Sequence, residues 1–260
     1  MLYKQKTSKT FLLFIVGCLF FNINLQAQML VSNVDTKQLG YKKVAKYLKK
    51  KSKENIVYFS DIRPSVNDSS DFSPFCFHSG SYIVHAPIQQ TWNTCILESP
   101  AKLWNSKMLG LSCVYNANSD TIFYRLSQHF DTLGLNQIYF INLRILRLFN
   151  VAAALIITKI DYDQKLIEFT YVEGNKSIGR QILRLVETGE SETKIVHDTF
   201  YRSNSDFRDK RLYSRFHQIA ITGLHKRIDE YSQWLNSSFE KKNMRYKCRR
   251  TLETHLSLSE

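Results

Sequence analysis

The longest regular pattern of hydrophobic positions lies late in the chain, from Phe207 to Leu235. Apolar residues recur there at steps of three and four, which places them on one stripe of a helix, with basic and polar residues around it. A long helix with one apolar stripe needs an apolar surface to cover, and the preceding segments are expected to provide it. The stripe consists of Phe207, Leu212, Phe216, Ile219, Ala220, Leu224, Ile228, Tyr231 and Leu235.

The segments before this helix follow the two-residue period of strands. In 166–172, Ile167, Phe169 and Tyr171 alternate with polar residues, which is typical of a strand with one buried face. Turn residues such as Gly174-Asn175 separate the segments, and short strands at this spacing indicate an antiparallel meander. The other predicted strands are 82–86, 109–115, 121–126, 137–145, 153–162, 178–186 and 194–201.

Two short helices are predicted after the first strand. Residues 88–98 carry apolar side chains at helical spacing, and residues 101–107 follow Pro100, which suits a first helical turn. The predicted order is therefore one strand, two short helices, about six strands and one long helix. That order indicates an α+β protein in which the helix covers one face of the sheet.

Several short motifs fit the same order. Tyr82-Ile83-Val84-His85-Ala86-Pro87, followed by Trp92, resembles the opening of the START and birch-pollen-allergen (SRPBCC) superfamily. Gly179-Arg180-Gln181, a hairpin at Gly189 and the closing helix fit the second half of that superfamily. The resemblance covers residues 80–236, and it leaves 28–79 and the insert-like region 116–136 unexplained.

This resemblance implies a helix-grip fold, in which a curved antiparallel sheet of about seven strands wraps the long C-terminal helix. Members of the superfamily hold lipids, sterols or other apolar molecules in a cavity between sheet and helix. The stripe of the closing helix would then face the inner residues of the strands. The predicted pocket residues are Phe169, Tyr171, Gln181, Leu183, Leu185, His197, Phe216, Ile219, Leu224 and Ile228.

The first 27 residues have the pattern of a secretory signal peptide. Three lysines precede a short apolar run, 11–21, and a small residue, Ala27, precedes the expected cleavage site. Ile15-Val16-Gly17-Cys18 resembles a lipobox, so a lipid anchor at Cys18 is an alternative, as is a retained N-terminal anchor. The predicted domains are the signal peptide, an extension (28–79) with a basic helix and a loop, the helix-grip domain (80–236) and a basic polar tail (237–260).

The chain has 260 residues and a formal net charge of +13, which falls to +10 without the three lysines of 1–27. Basic residues cluster at 42–53 and 241–250. Such runs are commonly solvated surface, and the alternative is contact with an anionic membrane surface. Nucleic acid is not expected as a partner, because aromatic residues do not interleave with the basic runs. The sequence leaves the oligomeric state open.

No catalytic or metal-binding motif stands out. His197 near Gln181 could orient a ligand or act as an acid or base, with a structural histidine as the simpler interpretation. His217 and His225 are eight residues apart on the closing helix, which does not match the i, i+4 spacing of a helical metal site. Neither a cofactor nor a metal is expected, and Trp104 is a candidate gate at the pocket.

Cysteine usage does not indicate a disulfide framework. Of the four cysteines that would remain after cleavage, Cys95 and Cys113 lie in apolar stretches and are predicted to be buried thiols. Cys76 and Cys248 have spacings that match no zinc pattern. Export would permit disulfides, and the sequence does not assign any.

Three functional hypotheses follow. The favoured one is an exported, non-enzymatic protein that binds a hydrophobic or lipid-like ligand in the cavity. The second is an enzyme of cyclase or hydrolase type on the same scaffold, which requires polar groups that converge inside the cavity. The third is an interaction module whose basic ends dock to an envelope surface.

Overall fold

A computed structural model describes residues 28–54, 56–145 and 149–256, with the backbone alone beyond residue 238. The predicted signal peptide lies outside the described residues. Within the described part of the chain, no helix is both long and apolar enough to cross a membrane.

Four α-helices and eight strands make up the described chain. The helices are α1 (Lys42–Lys51), α2 (Ile88–Leu97), α3 (Pro100–Leu103) and α4 (Ser214–Leu256), and a π-helical segment (Arg208–Tyr213) leads into α4. Single 3-10 turns occur at Val31–Asn33 and Phe59–Asp61. The strands are β1 (Cys76–Val84), β2 (Leu109–Asn116), β3 (Thr121–Tyr124), β4 (Ile138–Ile145), β5 (Phe149–Asp161), β6 (Leu166–Tyr171), β7 (Ser177–Gly189) and β8 (Glu192–Ser203).

All eight strands of the described residues form one antiparallel sheet in the order β1-β8-β7-β6-β5-β4-β2-β3. Strands β4 to β8 are neighbours in chain order, and β1 joins the far side of the last strand, β8. The sheet is curved, and α4 lies along its concave face. These features confirm the predicted helix-grip architecture.

The unexplained region 116–136 contains an inserted edge strand. Strand β3 pairs with β2 from Cys113↔Tyr124 to Asn116↔Thr121, while β4 pairs with the opposite edge of β2. The meander therefore runs directly from β2 to β4, and β3 is an added strand on the outside. Strand β3 corresponds to the predicted strand 121–126, and it is additional to the about seven strands that the helix-grip resemblance implies.

Several predicted boundaries were wrong, and the closing α-helix begins at Ser214, after the π-helical segment, rather than at Phe207. Strand β1 begins at Cys76 rather than Tyr82, because 76–80 pair with 197–201 of β8 despite their small polar side chains. Helix α3 ends at Leu103 instead of Lys107. Helix α4 continues to Leu256 past Asn236-Ser237-Ser238, since Ser and Asn lower helix propensity without ending a helix as Pro does.

Both faces of the sheet are buried over β2, β4 and the middle of β5, whereas outward side chains of β1 remain exposed. On the concave face, α2, α3 and α4 pack over a cluster that includes Trp92, Ile157, Ile167 and Leu183. On the convex face, residues 28–66 form a second cluster with the outward side chains of β2, β4 and β5. This double cover explains why every residue of β2 is buried.

The convex cluster is built around aromatic packing. Phe59 is fully buried, with its ring centroid 4.7 Å from that of Tyr115 and 5.8 Å from that of Phe140. Helix α1 contributes Val44 and Leu48, its thin apolar stripe. This basic helix lies in the segment where the sequence predicts one. Its apolar side packs on the sheet, Lys51 at its end is buried, and its other lysines face outward.

The polar face of β6 carries a buried acid. Glu168 alternates with the apolar residues of this strand, and it is buried on the convex side of β6. Its carboxylate accepts a 2.9 Å hydrogen bond from Arg180 and a 2.6 Å one from the Thr158 hydroxyl. Cys95 and Cys113 are buried free thiols, as predicted, and burial raises the pKa of the Cys95 thiol to about 12.

Candidate functional site

A cavity of about 330 Å³ lies between the concave face and the N-terminal half of the closing helix. Most of its wall is aliphatic and aromatic. The sheet side includes Leu109, Ile141, Leu143, Val151, Ala153, Leu155 and Phe169, together with Trp104 from the residues after α3, and the helix side includes Leu212, Phe216, Ala220, Ile221 and Leu224.

The position of α4 explains why space remains there. The helix packs against β1 and α2, on one side of the sheet, and makes few contacts over the middle strands. Because Ala153 on the sheet and Ala220 on the helix have small side chains, a gap remains between the two walls of the cavity. The π-helical segment places Leu212 and Tyr213 at the cavity, and such segments recur at functional sites of other proteins.

A chain of buried polar groups forms one wall of the cavity. The Gln181 amide nitrogen donates to the Tyr171 hydroxyl at 3.0 Å, and Tyr171 is hydrogen-bonded to the hydroxyl of Tyr213. The Gln181 oxygen lies 3.0 Å from His197 Nε2 and 3.2 Å from His217 Nε2. One amide from β7 therefore joins two tyrosines to two histidines.

The chain continues into the core through a third histidine. His197 Nδ1 lies 2.9 Å from His225 Nε2. The ring of His225 stacks on Tyr82, with centroids 4.0 Å apart. Tyr82 in turn accepts a 2.6 Å hydrogen bond from Gln218, whose oxygen lies 2.8 Å from His78 Nε2. The cluster thus reaches from the cavity to the edge strand β1.

These contacts assign the tautomers of the three buried histidines. A carbonyl oxygen only accepts, so Nε2 of His197 and Nε2 of His217 both donate to Gln181. Neutral His197 then accepts at Nδ1 from Nε2 of His225. The remaining acceptors, Nδ1 of His217 and Nδ1 of His225, have no hydrogen-bond partner among the described residues.

Burial keeps this cluster uncharged. Removal from water lowers the pKa of His197 and of His217 well below the usual range, and the neighbouring histidines lower both further. Burial, with a smaller effect of His217, lowers the pKa of His225 to about 3. Burial also raises the pKa of Tyr171 to about 12. At neutral pH the polar wall is a set of neutral donors and acceptors.

Hydrogen-bond directions leave two groups for a ligand at the cavity wall. Tyr171 accepts from Gln181, and either oxygen can be the donor in its hydrogen bond with Tyr213, so one of the two hydroxyl hydrogens is left to donate elsewhere. His217 Nδ1 is a buried acceptor without a partner among the described residues. Tyr171, Tyr213 and His217 all line the cavity, which gives its polar wall one donor and one acceptor within a mostly apolar surface.

Six of the ten predicted pocket residues line the cavity: Phe169, Tyr171, Gln181, His197, Phe216 and Leu224. Leu183, Leu185 and Ile228 instead belong to the packed core, where α2 covers that end of the sheet. Ile219 is 43% exposed, because the helix turns its adjacent residue, Ala220, toward the cavity.

Trp104 also lines the cavity. It is buried in the cavity wall, and its ring packs near those of Tyr139 and Phe169. The inward orientation of His197 and Gln181, at 1% and 6% exposure, provides the convergent polar groups that an enzyme would require. Across the described chain, no group of three or more potential ligands is arranged to hold a metal.

The sequence interpretation missed His217, His225 and Tyr213 as parts of one cluster. The available signal was their spacing on one helix, since Tyr213, His217 and His225 follow steps of four and eight residues. Such steps keep side chains near one face of a helix. Helix spacing does not show which strand residues contact these helix residues. In the structure, Gln181 contacts His217 and His197 contacts His225.

One end of the cavity carries exposed and charged residues. Phe149 is 63% exposed, and Lys176 and Arg208 also line this end. Arg208 donates to the Ser203 hydroxyl at 3.0 Å and to the carbonyl of Lys176. The cavity is therefore apolar inside and basic where it reaches the surface.

Sheet order, closing helix and cavity together define a helix-grip protein with an internal apolar space. No family model matches the sequence, and no curated protein has a significant match to it. Solved structures do match in fold. One is norcoclaurine synthase from Thalictrum flavum, in complex with dopamine and hydroxybenzaldehyde, at 14% identity and a TM-score of 0.44, covering 60% of this chain and 85% of the other.

Two further structures align at similar levels. A protein from Nitrosomonas europaea is 9% identical with a TM-score of 0.43, over 62% of this chain and 96% of the other. Ara h 8.0201 is 12% identical with a TM-score of 0.42, over 61% and 98%. At these identities the likeness concerns the fold alone, and the site is argued from this chain's own residues.

Proposed function

We propose that this protein is a non-enzymatic binder of a hydrophobic or lipid-like small molecule, held in the cavity between the sheet and α4. The observation that carries the proposal is the cavity itself, about 330 Å³ with a mostly aliphatic and aromatic wall. Ligand pockets commonly span roughly 300–1,000 Å³ and combine apolar walls with a few polar groups. Burial of an apolar ligand there releases water from both surfaces.

The polar wall supports a neutral polar group on the inner part of the ligand. The histidines of the cluster are neutral at physiological pH, so a charge placed beside them would lose its hydration without a counter-ion. A hydroxyl or carbonyl can instead use the free hydroxyl hydrogen of the Tyr171–Tyr213 pair and His217 Nδ1. The cluster would therefore orient an otherwise apolar molecule.

A second candidate is an enzyme of cyclase or hydrolase type in the same cavity. The observation that favours it is the inward cluster of His197, His217 and Gln181 beside the apolar space. In that case His217, with an unpartnered Nδ1 among the described residues, would act as the general base. Turnover of a bound ligand that stops in a His217→Gln variant would support this candidate over simple binding.

We also propose that the protein is exported. Support comes from the basic start, short apolar run and Ala27 of the first 27 residues. Expression of the full chain in a secreting host, followed by N-terminal sequencing of the mature protein, tests the proposal. Cleavage after Ala27 is expected, while an uncleaved or Cys18-lipidated product would favour one of the anchored alternatives.

The binding proposal is tested by native mass spectrometry of the purified protein and by titration with a fluorescent apolar probe. We expect a copurified apolar molecule or saturable uptake of the probe. An Ala220→Trp variant fills the cavity and should abolish binding. If Ala220→Trp fails to fold, the smaller Ala220→Leu variant should weaken binding instead.

The matched control is Ile219→Trp, on the same turn of the same helix. Ile219 is exposed and lies outside the cavity, so this variant should bind like the wild type. Equal loss in both variants would contradict a site at the cavity. Absence of both a copurified ligand and probe uptake in the folded wild type would overturn the proposed function.

A further inference from the structure

A basic groove of about 540 Å³ lies on the convex side of the sheet, beneath α1. Among the described residues, seven lysines line it, Lys176 and six from the segment 43–53. Tyr47 of α1 and Gly174 of the turn after β6 complete much of the remaining wall. The groove is therefore lined by many more cationic side chains than the cavity on the other face.

Few acids balance these lysines. Glu54 pairs with Lys50 at 3.0 Å and with Lys51 at 3.3 Å. Within the described residues no other ion pair reaches a groove lysine. Lys51 is buried and also donates to the Glu173 carbonyl at 2.7 Å, which ties α1 to the turn after β6. The groove thus has a fixed floor and several uncompensated positive charges.

The groove and the cavity meet at the edge of β5. Val151, Ala152 and Lys176 line both spaces. The meeting point exists because β6 ends at Tyr171, paired with Leu155. Beyond that pair, residues 149–153 of β5 are paired only with β4 in the described structure. The edge of β5 carries no paired strand there in the described part of the chain, and the apolar space and the basic groove both border it.

We propose that the two spaces form one site for a single-chain amphiphile with a phosphate head. The chain would lie in the cavity, pass the edge of β5 at Val151 and Ala152, and place the phosphate among the groove lysines. This inference rests on the proposed binding function and names the class of its ligand. The small volume of the cavity favours an amphiphile with one hydrocarbon chain over one with two.

Phosphate is the head group that the groove suits best. Ammonium groups bind phosphate as point charges from several directions, and a groove with several lysines can surround a dianion. A hydrogen bond to a charged group is stronger than one between neutral groups. Attraction at this partly exposed site should weaken as salt rises.

The test compares dodecyl phosphate with dodecanol, which share a chain and differ in the head. Calorimetric titration of the full-length mature protein at low salt should show dodecyl phosphate binding about tenfold more tightly or better. The preference should shrink in high salt. Inorganic phosphate alone should bind much more weakly than dodecyl phosphate, because it gains nothing from the cavity.

The decisive variant is the triple Lys43→Gln, Lys46→Gln, Lys50→Gln, which removes charge from exposed groove positions. It should lower affinity for dodecyl phosphate to about that for dodecanol and leave dodecanol binding unchanged. Exposed Lys-to-Gln changes on a helix surface preserve folding in most cases, and thermal unfolding checks this.

The control triple is Lys37→Gln, Lys42→Gln, Lys226→Gln. It removes the same charge outside the groove, and the Lys226–Glu230 pair matches the Lys50–Glu54 pair in its i, i+4 spacing. This variant should keep the full preference for dodecyl phosphate. Equal loss in both triples would show a general charge effect and overturn the linked site.

The remaining outcomes separate this inference from the binding function. Dodecanol binding without a preference for the phosphate overturns the inference and leaves the binding function standing. Equal affinities for inorganic and dodecyl phosphate would identify a free-anion groove and also overturn it. If the groove triple loses only association with phosphatidylglycerol vesicles, the lysines dock to membranes and the linked site is wrong.

Discussion

Strand β5 shows the two faces of the sheet side by side. Ala153 borders the cavity on the concave face, and the next residue, Ala154, is fully buried among the convex cluster. The same alternation of side chains serves both faces. On the convex face the segment 28–66 packs closely against β2, β4 and β5. On the concave face α4 makes few contacts with the middle strands.

The two faces of the sheet therefore have different roles, since packing on the convex face stabilises the fold and the space on the concave face is available for binding. Close packing in the cluster around Phe59 supplies dispersion and apolar burial, and it leaves that part of the convex face without room for a guest, apart from the basic groove beneath α1. The concave face lacks some of those contacts and keeps a space that a ligand can fill. The convex segment therefore stabilises the sheet, while the cavity on the other face is free to bind an apolar ligand.

The largest effect is expected from Phe59→Ala on the convex face. Truncation of a fully buried phenylalanine costs about 3–5 kcal/mol of the free energy of unfolding. Phe216→Ala on the cavity wall should cost about 1 kcal/mol, because this half-buried ring already lacks neighbours on one side. Urea denaturation at an unchanged slope measures both values, and equal losses would show that the faces are packed alike.

A smaller effect should distinguish Ala154→Leu from Ala153→Leu. Enlarging a side chain in a close-packed core typically costs about 1–3 kcal/mol, and this loss is expected at Ala154. At Ala153 the added methyl groups enter the cavity, so the free energy of unfolding should change by less than about 1 kcal/mol. A thermal unfolding midpoint that falls equally in both variants would contradict an empty space beside Ala153.

The smallest expected effect is the dependence of the free energy of unfolding on acid pH, through a histidine on the concave side. The pKa of His225 is about 3 in the fold, against roughly 6.5 in an unfolded chain. Below that unfolded value the unfolded state binds more protons, so stability falls as pH falls toward the folded pKa. Between pH 7 and pH 5.5, the free energy of unfolding of His225→Gln should therefore fall by about 1 kcal/mol less than that of the wild type.

The control variant is His129→Gln, at a histidine that is exposed in the fold. Free energies of unfolding from urea titrations at the two pH values provide the measurement. A wild-type profile in His225→Gln would mean that His225 is protonated or exposed in the fold.

Local patterns were sufficient for the fold. Most of the stripe from Phe207 persists in the π-helical segment and α4, and the alternation of 166–172 persists as β6, because one apolar face leaves a periodic trace in the sequence. The short Ala-Pro and Trp92 motif added the resemblance that placed them in order. Elements with one apolar face can be predicted one at a time.

The site was only partly readable, because it depends on contacts between distant segments. Gln181 and His197 were predicted to be inside, whereas His217 and His225 became part of the cluster through strands far away in sequence. The role of 28–66 was invisible for the same reason. Its apolar residues are sparse among lysines, and their burial requires the convex face of a sheet that forms later in the chain.

Pairing of the first strand with the last has a consequence for how the chain folds. Cys76 lies opposite Tyr201, and Val84 lies opposite Thr193, so this ladder closes loops of more than a hundred residues. Proteins dominated by such distant contacts fold slowly, since loop closure precedes the contacts that repay it. Hairpins among β4 to β8 can form early, and β1 then remains an unpaired edge until the chain beyond residue 200 is available.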